Sequence, residues 1–544
     1  MELTRRDLLT WGGGATAGLL LTPLPWKVLD DTSKWTQNWP WIPQPSRAPI
    51  EVKRSFCTLC PNGCDLRVRV ASGTPVGVSP GPQSALCPLA FGAHQLNWHP
   101  GRLRQVSHLG KAASWNDALA AFRKAAVEGP IAVVDAYPRR AGSSVMENFA
   151  RRQGGTYCII LSAEERSLAP YAAWSGAPVT SLGYDFEHAR TILSFGAPLL
   201  DGWGAPGRVP RLWSTGALKL IQVEPSLSRT ANAAWRWIQV PSGSEAALAA
   251  GLARVLLEEH ISPARAPLPP TTVAEAAAQT GIAEETIREL ARTLAAHGPA
   301  VAIAADGDPA VAVLNFAVGS IGARGGIVRR REGGPSYLTA DNLNGHFRAV
   351  LIDATVPWDF APQADAEVFR FAAWNGGGSR AHWLLPAPGF LEELTDVPTA
   401  PGSAVDTYAI AANLSTPPAD VRSPAGFLAQ VDSALPSVED IIHARCRELF
   451  RTHTGALQGE ETVPVSRFAA PERLEEALRT GSVWVAGPPR SGGLRCRFEQ
   501  WPQPTAPRAT ADWTATWVPP VLPPLAVKLY RESSLREPPA GRSI

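Results

Sequence analysis

The residues best suited to chemistry are cysteines. Cys57, Cys60 and Cys64 lie two and three residues apart within Phe56-Cys57-Thr58-Leu59-Cys60-Pro61-Asn62-Gly63-Cys64, and Cys87-Pro88 follows. This spacing lets three thiolates turn toward one compact centre, with Gly63 relieving the turn and a later loop supplying the fourth sulfur. A four-thiolate set without a neighbouring histidine suits either zinc or an iron-sulfur cluster. Spacing alone leaves both open. Between Cys64 and Cys87 the chain reads as a hairpin: Leu66, Val68 and Val70 alternate with Asp65, Arg67 and Arg69, Ser72-Gly73 turns, and Pro75 to Val78 returns. Seven cysteines are too few for a disulfide-stapled scaffold, and an odd number cannot pair completely. The dispersed Cys158, Cys446 and Cys496 read as packed thiols.

The elements around this constellation must be soluble and plural. With 544 residues, 45% of them apolar, the chain can bury several cores. A formal charge of +2 offers no broad field for nucleic acid or anionic lipid. The first residues, MELTRRDLLTWGGGATAGLLLTPLPW, read as a targeting segment. The apolar run from Trp11 to Leu24 is shorter than the about 20 residues a spanning helix needs. Thr4-Arg5-Arg6-Asp7-Leu8-Leu9 resembles a twin-arginine export motif, a route for proteins already folded around cofactors. With Pro23, Pro25 and Trp26 where a cleavage site would stand, the segment is expected to remain as an anchor. Nineteen tryptophans, among them Trp11, Trp26, Trp35, Trp39 and Trp41, suggest an amphipathic contact surface near the start.

Beyond the cysteines, Ser114 with Asp117 forms a capping box opening a helix over 114–127. Short apolar strands are expected at 130–134, 157–160, 191–195 and 219–223, separated by helix-length segments such as 144–152, which implies a parallel sheet covered by helices. Helices at 245–260, 272–279 and 283–296, and strands at 301–304, 351–352 and 383–385, extend the same pattern.

These residues carry a resemblance. CTLCPNGC, then LCPLAFGAHQLNWHPGRLRQV, then Ser114-Trp115-Asn116-Asp117-Ala118-Leu119 resemble the N-terminal [4Fe-4S] domain of the molybdopterin oxidoreductase superfamily. The likeness continues in order through Asp185 to Gly196, through VEPSLSRTANAAWRWIQVPSGSEAAL from Val223, through NFAVGSIGARGGI from Asn315, and through Ala381-His382-Trp383-Leu384-Leu385-Pro386. Within that superfamily the chain most resembles the catalytically reduced molybdopterin-like subunits of the menaquinone reductase complex and of alternative complex III. The resemblance implies a multi-domain α/β fold with a small N-terminal [4Fe-4S] domain and a truncated C-terminal region. It implies the following divisions: a signal or anchor over 1–29, a cluster domain over 30–110, a doubly wound α/β domain over 111–262, a second over 272–455, and a proline-rich remnant of a lid over 456–544.

Three departures bear on the pterin. Cys158 lies inside a strand, where a packed thiol is expected rather than a molybdenum ligand, leaving Ser162 as a weak oxygen candidate. Leu89 stands where relatives often place a basic residue between cluster and pterin. The residues after Arg451 are too few for a full lid. The resemblance and departures together imply one [4Fe-4S] cluster on Cys57, Cys60, Cys64 and Cys87, no molybdopterin and no catalytic residue, with Glu224, Ser228, Arg229 and Thr230 kept as packing. The implied role is an electron relay or scaffold in a membrane-associated quinone/cytochrome c oxidoreductase complex, on the periplasmic side. Its expected partners are a multihaem cytochrome c, a ferredoxin-like iron-sulfur subunit, and a quinone-binding polytopic membrane subunit. The rivals are an active molybdenum or tungsten bis-pterin oxidoreductase acting on a small sulfur or nitrogen compound, and a zinc-stabilised structural subunit.

Overall fold

The computed structural model describes residues 4–21, 49–82, 84–200, 203, 212–262, 268–305, 307–353, 366–374, 381–417, 420–489 and 492–496. Trp26, Trp35, Trp39, Trp41 and the tryptophan-rich end of the sequence lie outside them. The chain divides into two units, Met1–Glu51 and Val52–Ile544. The first carries a helix over Arg5–Leu21, opened by the Thr4 hydroxyl, which accepts from Asp7 N–H while the Asp7 carboxylate accepts from Thr4 N–H. Among the described residues no helix is long and apolar enough to cross a membrane.

From the boundary at Glu51 onward, β1 (Glu51–Phe56), β2 (Asp65–Ala71) and β3 (Thr74–Pro80) form a three-stranded sheet. The expected alternation holds: Leu66, Val68 and Val70 are buried while Arg67 and Arg69 face outward. This sheet is not a discrete domain. Its inward residues share one core with Phe390 and Leu391, and Phe56 packs with Ala409 and Ala411. Three strands and one helix cannot enclose their own apolar face, so distant segments complete it.

The largest sheet takes β4 (Ser107–His108), β5 (Lys111–Ala112), β6 (Ile131–Asp135) and β7 (Thr156–Ile159) from early in the chain. Later segments supply β14 (Leu338–Thr339), β15 (Ala349–Asp353), β16 (Glu367–Ala372) and β17 (Trp383–Pro386), and the order is β14-β7-β6-β15-β16-β17-β4-β5. From β14 to β17 the pairing is parallel. All five residues of β6 and of β15 are buried, as central strands covered on both faces must be. Helices Trp115–Glu128, Ala141–Arg152 and Pro424–Val431 close one face around Phe122, Phe149, Phe369 and Phe427.

A second parallel sheet has the order β11-β10-β9-β12, from β9 (Thr191–Phe195), β10 (Lys219–Val223), β11 (Arg236–Ile238) and β12 (Ala300–Ala304). Helices Glu245–Glu258, Val273–Thr280, Glu284–Ala296 and Pro309–Val318 pack on it. The strands expected to share one sheet thus divide, β6 and β7 joining β15 to β17, and β9 and β10 joining β12. β8 (Leu182–Tyr184) pairs with β13 (Ile327–Arg329). Finally β18 (Thr395–Pro398), β19 (Thr407–Ala411), β20 (Ala456–Gln458), β21 (Thr462–Pro464) and β22 (Val483–Val485) form an antiparallel sheet with helices Val438–Thr452 and Pro471–Arg479 against it.

Candidate functional site

Cys57 directly follows β1 and Cys64 directly precedes β2, and the Cys57 N–H donates to the Cys64 carbonyl at 2.8 Å, closing the loop. Gly63 sits at φ 59°, the left-handed turn for which glycine was expected. Cys87 stands at the N-cap of helix Pro88–Leu96, where a proline in the first turn is favoured because its missing N–H would be unpaired anyway. Cys57 and Cys64 are buried, Cys60 and Cys87 half-buried. Burial, then the neighbouring Cys64 and Cys87, push the Cys57 thiol well above the usual thiol range. Burial pushes Cys64 up to about 12, with Cys87 adding to the rise.

The fold therefore gathers the four sulfurs within electrostatic reach of one another. Among the described residues no group of three or more His, Cys, Asp or Glu side chains is disposed to hold a metal ion. That overturns the [4Fe-4S] cluster expected on Cys57, Cys60, Cys64 and Cys87, and a four-thiolate zinc with it. Raised thiols of this kind are protonated and uncharged, and they pack as a sulfur cluster within the core.

The pterin-motif residues are occupied by their own fold. Cys158 is 0% exposed inside β7, packed with Val134, Val350 and Ile352, and burial pushes its thiol up to about 12. The Ser162 hydroxyl caps helix Ala163–Ser175 by accepting from Glu165 N–H at 3.2 Å. Glu224, just beyond β10, accepts from Gln222 Nε2 at 2.9 Å and from Ser228 N–H at 3.2 Å. Ser228 caps the next helical turn through Ala231 N–H at 3.0 Å, and Thr230 Oγ1 accepts from Leu200 N–H at 3.2 Å. Asn315 braces β12, accepting from Ala302 N–H at 2.8 Å and donating to Ala302 O at 2.7 Å. Leu89 is buried. Each of these polar side chains thus has a partner within the fold, and Arg229, which opens the same helical turn, is exposed.

A second constellation escaped the sequence reading. Chain connections leave β6 and β15 in opposite directions, toward β7 and toward β16, and such a switch point opens a crevice at the carboxyl ends of the strands. Asp135 and Asp353 end these two strands and pair in register. Between them Arg140 reaches Asp353 Oδ2 at 2.7 Å and Asp135 Oδ1 at 3.9 Å. A cavity of about 100 Å³ lies here, lined among others by Thr58 and Leu59 of the thiol loop, Arg140, Asp353, Trp374 and Glu393. It holds a few waters or a small molecule, well under the several hundred Å³ of a dinucleotide site. Tyr137 joins the crevice to the thiol loop by donating its hydroxyl to Leu59 O at 3.1 Å. The only sequence signal was a carboxylate closing each of two apolar strands, IAVVD and AVLID.

No family model matches the sequence. Among solved structures, acetylene hydratase from Pelobacter acetylenicus superposes with a TM-score of 0.60 over 81% of this chain and 75% of that one, at 15% identity. The chain thus has an α/β multi-domain fold of the molybdopterin-oxidoreductase type. Among curated proteins, the menaquinone reductase molybdopterin-binding-like subunit of Nitratidesulfovibrio vulgaris is 29% identical over 364 residues, 60% of this chain and 52% of that protein. A selenate reductase subunit from Mesobacillus selenatarsenatis is 28% identical over 91 residues, 16% of this chain and 9% of that protein. The chain spans about half the length of the first relative it matches.

Proposed function

We propose that this chain is a scaffold subunit of a membrane-associated quinone/cytochrome c oxidoreductase complex, placed on the periplasmic face and without a functional molybdopterin site. One observation carries the reading: Glu224, Ser228 and Thr230 of the retained pterin motif, though not the exposed Arg229, bond to their own fold, as does Asn315 of the later family motif. The likeness to the menaquinone reductase subunit supports the setting. Its partners in this reading are a multihaem cytochrome c, a ferredoxin-like iron-sulfur subunit, and a quinone-binding polytopic membrane subunit. Relay through a cluster of its own falls with the cluster, so the chain's work is to hold neighbours in place.

A second reading is an active molybdenum or tungsten bis-pterin oxidoreductase acting on a small sulfur or nitrogen compound. The fold neighbour is an enzyme, and on the comparisons alone this reading has more weight than a pterin-free scaffold. Affinity purification of the full chain from membranes of its source, followed by subunit identification and haem staining, tests the proposal. Recovery with a haem-bearing cytochrome and a polytopic subunit is expected. Recovery as a free chain that turns over a small oxidant would reject it.

A further inference from the structure

Three of the chain's seven tyrosines gather at the carboxyl end of β6. The Tyr157 hydroxyl donates to Asp135 Oδ2 at 2.8 Å. Register fixes that meeting: β6 and β7 run parallel with Val133 opposite Tyr157, so the phenol shares a sheet face with Asp135 and lies two residues behind it. The other carboxylate oxygen accepts from Tyr137 N–H at 2.8 Å, with Arg140 Nη2 at 3.9 Å. Asp135 is 0% exposed. Tyr337 stands immediately before β14 and sets its ring at a T-shaped angle to Tyr157, centroids 5.8 Å apart. β14 is the outer strand of the sheet, and Leu338 on it is 40% exposed, so the second ring lies between Tyr157 and the sheet edge. At Tyr137, Tyr184 and Tyr171 the phenols meet weaker bases: the Tyr137 hydroxyl donates to Leu59 O, that of Tyr184 pairs with the Ser167 hydroxyl, and the Tyr171 oxygen accepts from Asn315 Nδ2. The Trp383 indole also donates to a carboxylate, Glu367 at 2.6 Å, but Glu367 is half-buried and can pass a proton on to water.

We infer that Tyr157 is a redox-active side chain that gives one electron to a strong one-electron oxidant, of the ferryl-haem or indole-radical class, while Asp135 takes its proton. The phenolic O–H bond breaks, the proton bonds to Asp135 Oδ2, and the electron leaves by way of the Tyr337 ring to the oxidant, which is reduced by one electron. Tyr157 becomes a neutral phenoxyl radical and Asp135 a neutral acid, so no charged radical is left in the buried site. A returning electron reverses both moves. The hydrogen bond makes this possible, because a base must lie within about 2.6–3.2 Å of the proton it takes. Burial, then the charge of Asp135, keep the Tyr157 hydroxyl protonated well above the usual phenol range, so the electron has to leave together with the proton. The site is a holding point for oxidising equivalents; it goes beyond the scaffold role proposed above and does not rest on it.

The test is pulse radiolysis of the full chain with azide radicals, which take electrons first from exposed indoles such as Trp98 and Trp235. The expected record is an indole-radical absorption that decays as a phenoxyl absorption rises, more slowly in D2O than in H2O because a proton moves with the electron. Tyr157→Phe removes the phenoxyl rise. Asp135→Asn keeps an acceptor for the hydroxyl but no base for its proton, and slows the rise severalfold; Tyr337→Phe slows it by removing the ring on the path. Circular dichroism checks the fold of each variant, and if Tyr157→Phe or Asp135→Asn fails to fold, Tyr337→Phe and the isotope effect decide. A phenoxyl rise that persists in folded Tyr157→Phe, equal rates in H2O and D2O, unslowed transfer in Tyr337→Phe, or indole radicals that decay without a phenoxyl product would overturn the inference.

Discussion

Replacing Arg102 by methionine removes the cation from a place where neither partner meets water. The Arg102 and Glu392 side chains are both 0% exposed, with their nearest atoms 2.5 Å apart. Arg102 Nη1 also donates to the carbonyls of Ala373 at 2.7 Å and Ala387 at 2.8 Å. The variant leaves a buried carboxylate with the Gly389 N–H, at 2.6 Å, and abandons two carbonyls. Breaking a buried pair from one side costs about 3–5 kcal/mol, and the stranded carbonyls push toward the upper end. Burial already raises the Glu392 carboxyl against the pull of Arg102, so without that pull it rises further. Between the unfolded and folded pKa values the folded state then binds more protons than the unfolded chain. Stability of the variant must therefore fall as pH rises through that window, and its deficit is largest near neutrality. Arg102→Met/Glu392→Leu removes both charges and should recover most of the loss. Urea unfolding followed by tryptophan fluorescence, for wild type, both single variants and the double variant from about pH 5 to about pH 8, measures this cycle. An Arg102→Met deficit under about 1 kcal/mol, or single-variant costs that simply add in the double, would refute the reasoning.

Asn315→Leu strands both backbone groups of Ala302 in β12 and the Tyr171 hydroxyl, and a loss of about 2–4 kcal/mol in denaturant unfolding is expected; a change under about 1 kcal/mol contradicts the brace. Gly326→Ala would drive its Cβ into the Ser320 carbonyl oxygen, so a loss of about 1–3 kcal/mol should appear as a lower melting temperature, and an unchanged one speaks against the packing of that loop. Ser114→Ala removes the hydroxyl that accepts from Asp117 N–H at 3.2 Å and donates to the Asp117 carboxylate at 2.7 Å, at a cost of about 1 kcal/mol by the same measurement, and Ser114→Thr should restore most of it.

The capping box at Ser114, the hairpin alternation of Leu66, Val68 and Val70, and the left-handed Gly63 were all legible because each is decided by neighbours in sequence. Sheet membership was not. IAVVD and TILSF are both short, mainly apolar runs, and nothing within either records that Val133 pairs with Leu351 while Leu193 pairs with Ile221 and Ala302. Motif order correctly pointed to a molybdopterin-oxidoreductase-like fold, yet the cysteine spacing suggested a convergence that the loops do not deliver. Spacing limits how far sulfurs can be apart, but side-chain direction decides whether they share a centre. Asp135 and Asp353 were passed over because an acid after a strand looks like a turn residue. Only the register between β6 and β15 makes them a pair.

Molybdenum and tungsten content of the purified native complex tests most directly whether the pterin-motif side chains serve the fold alone. With Glu224, Ser228, Thr230 and Asn315 bonded internally, neither metal should rise above background and no pterin should be extractable. Either metal near one per chain, together with pterin released on denaturation, would contradict it.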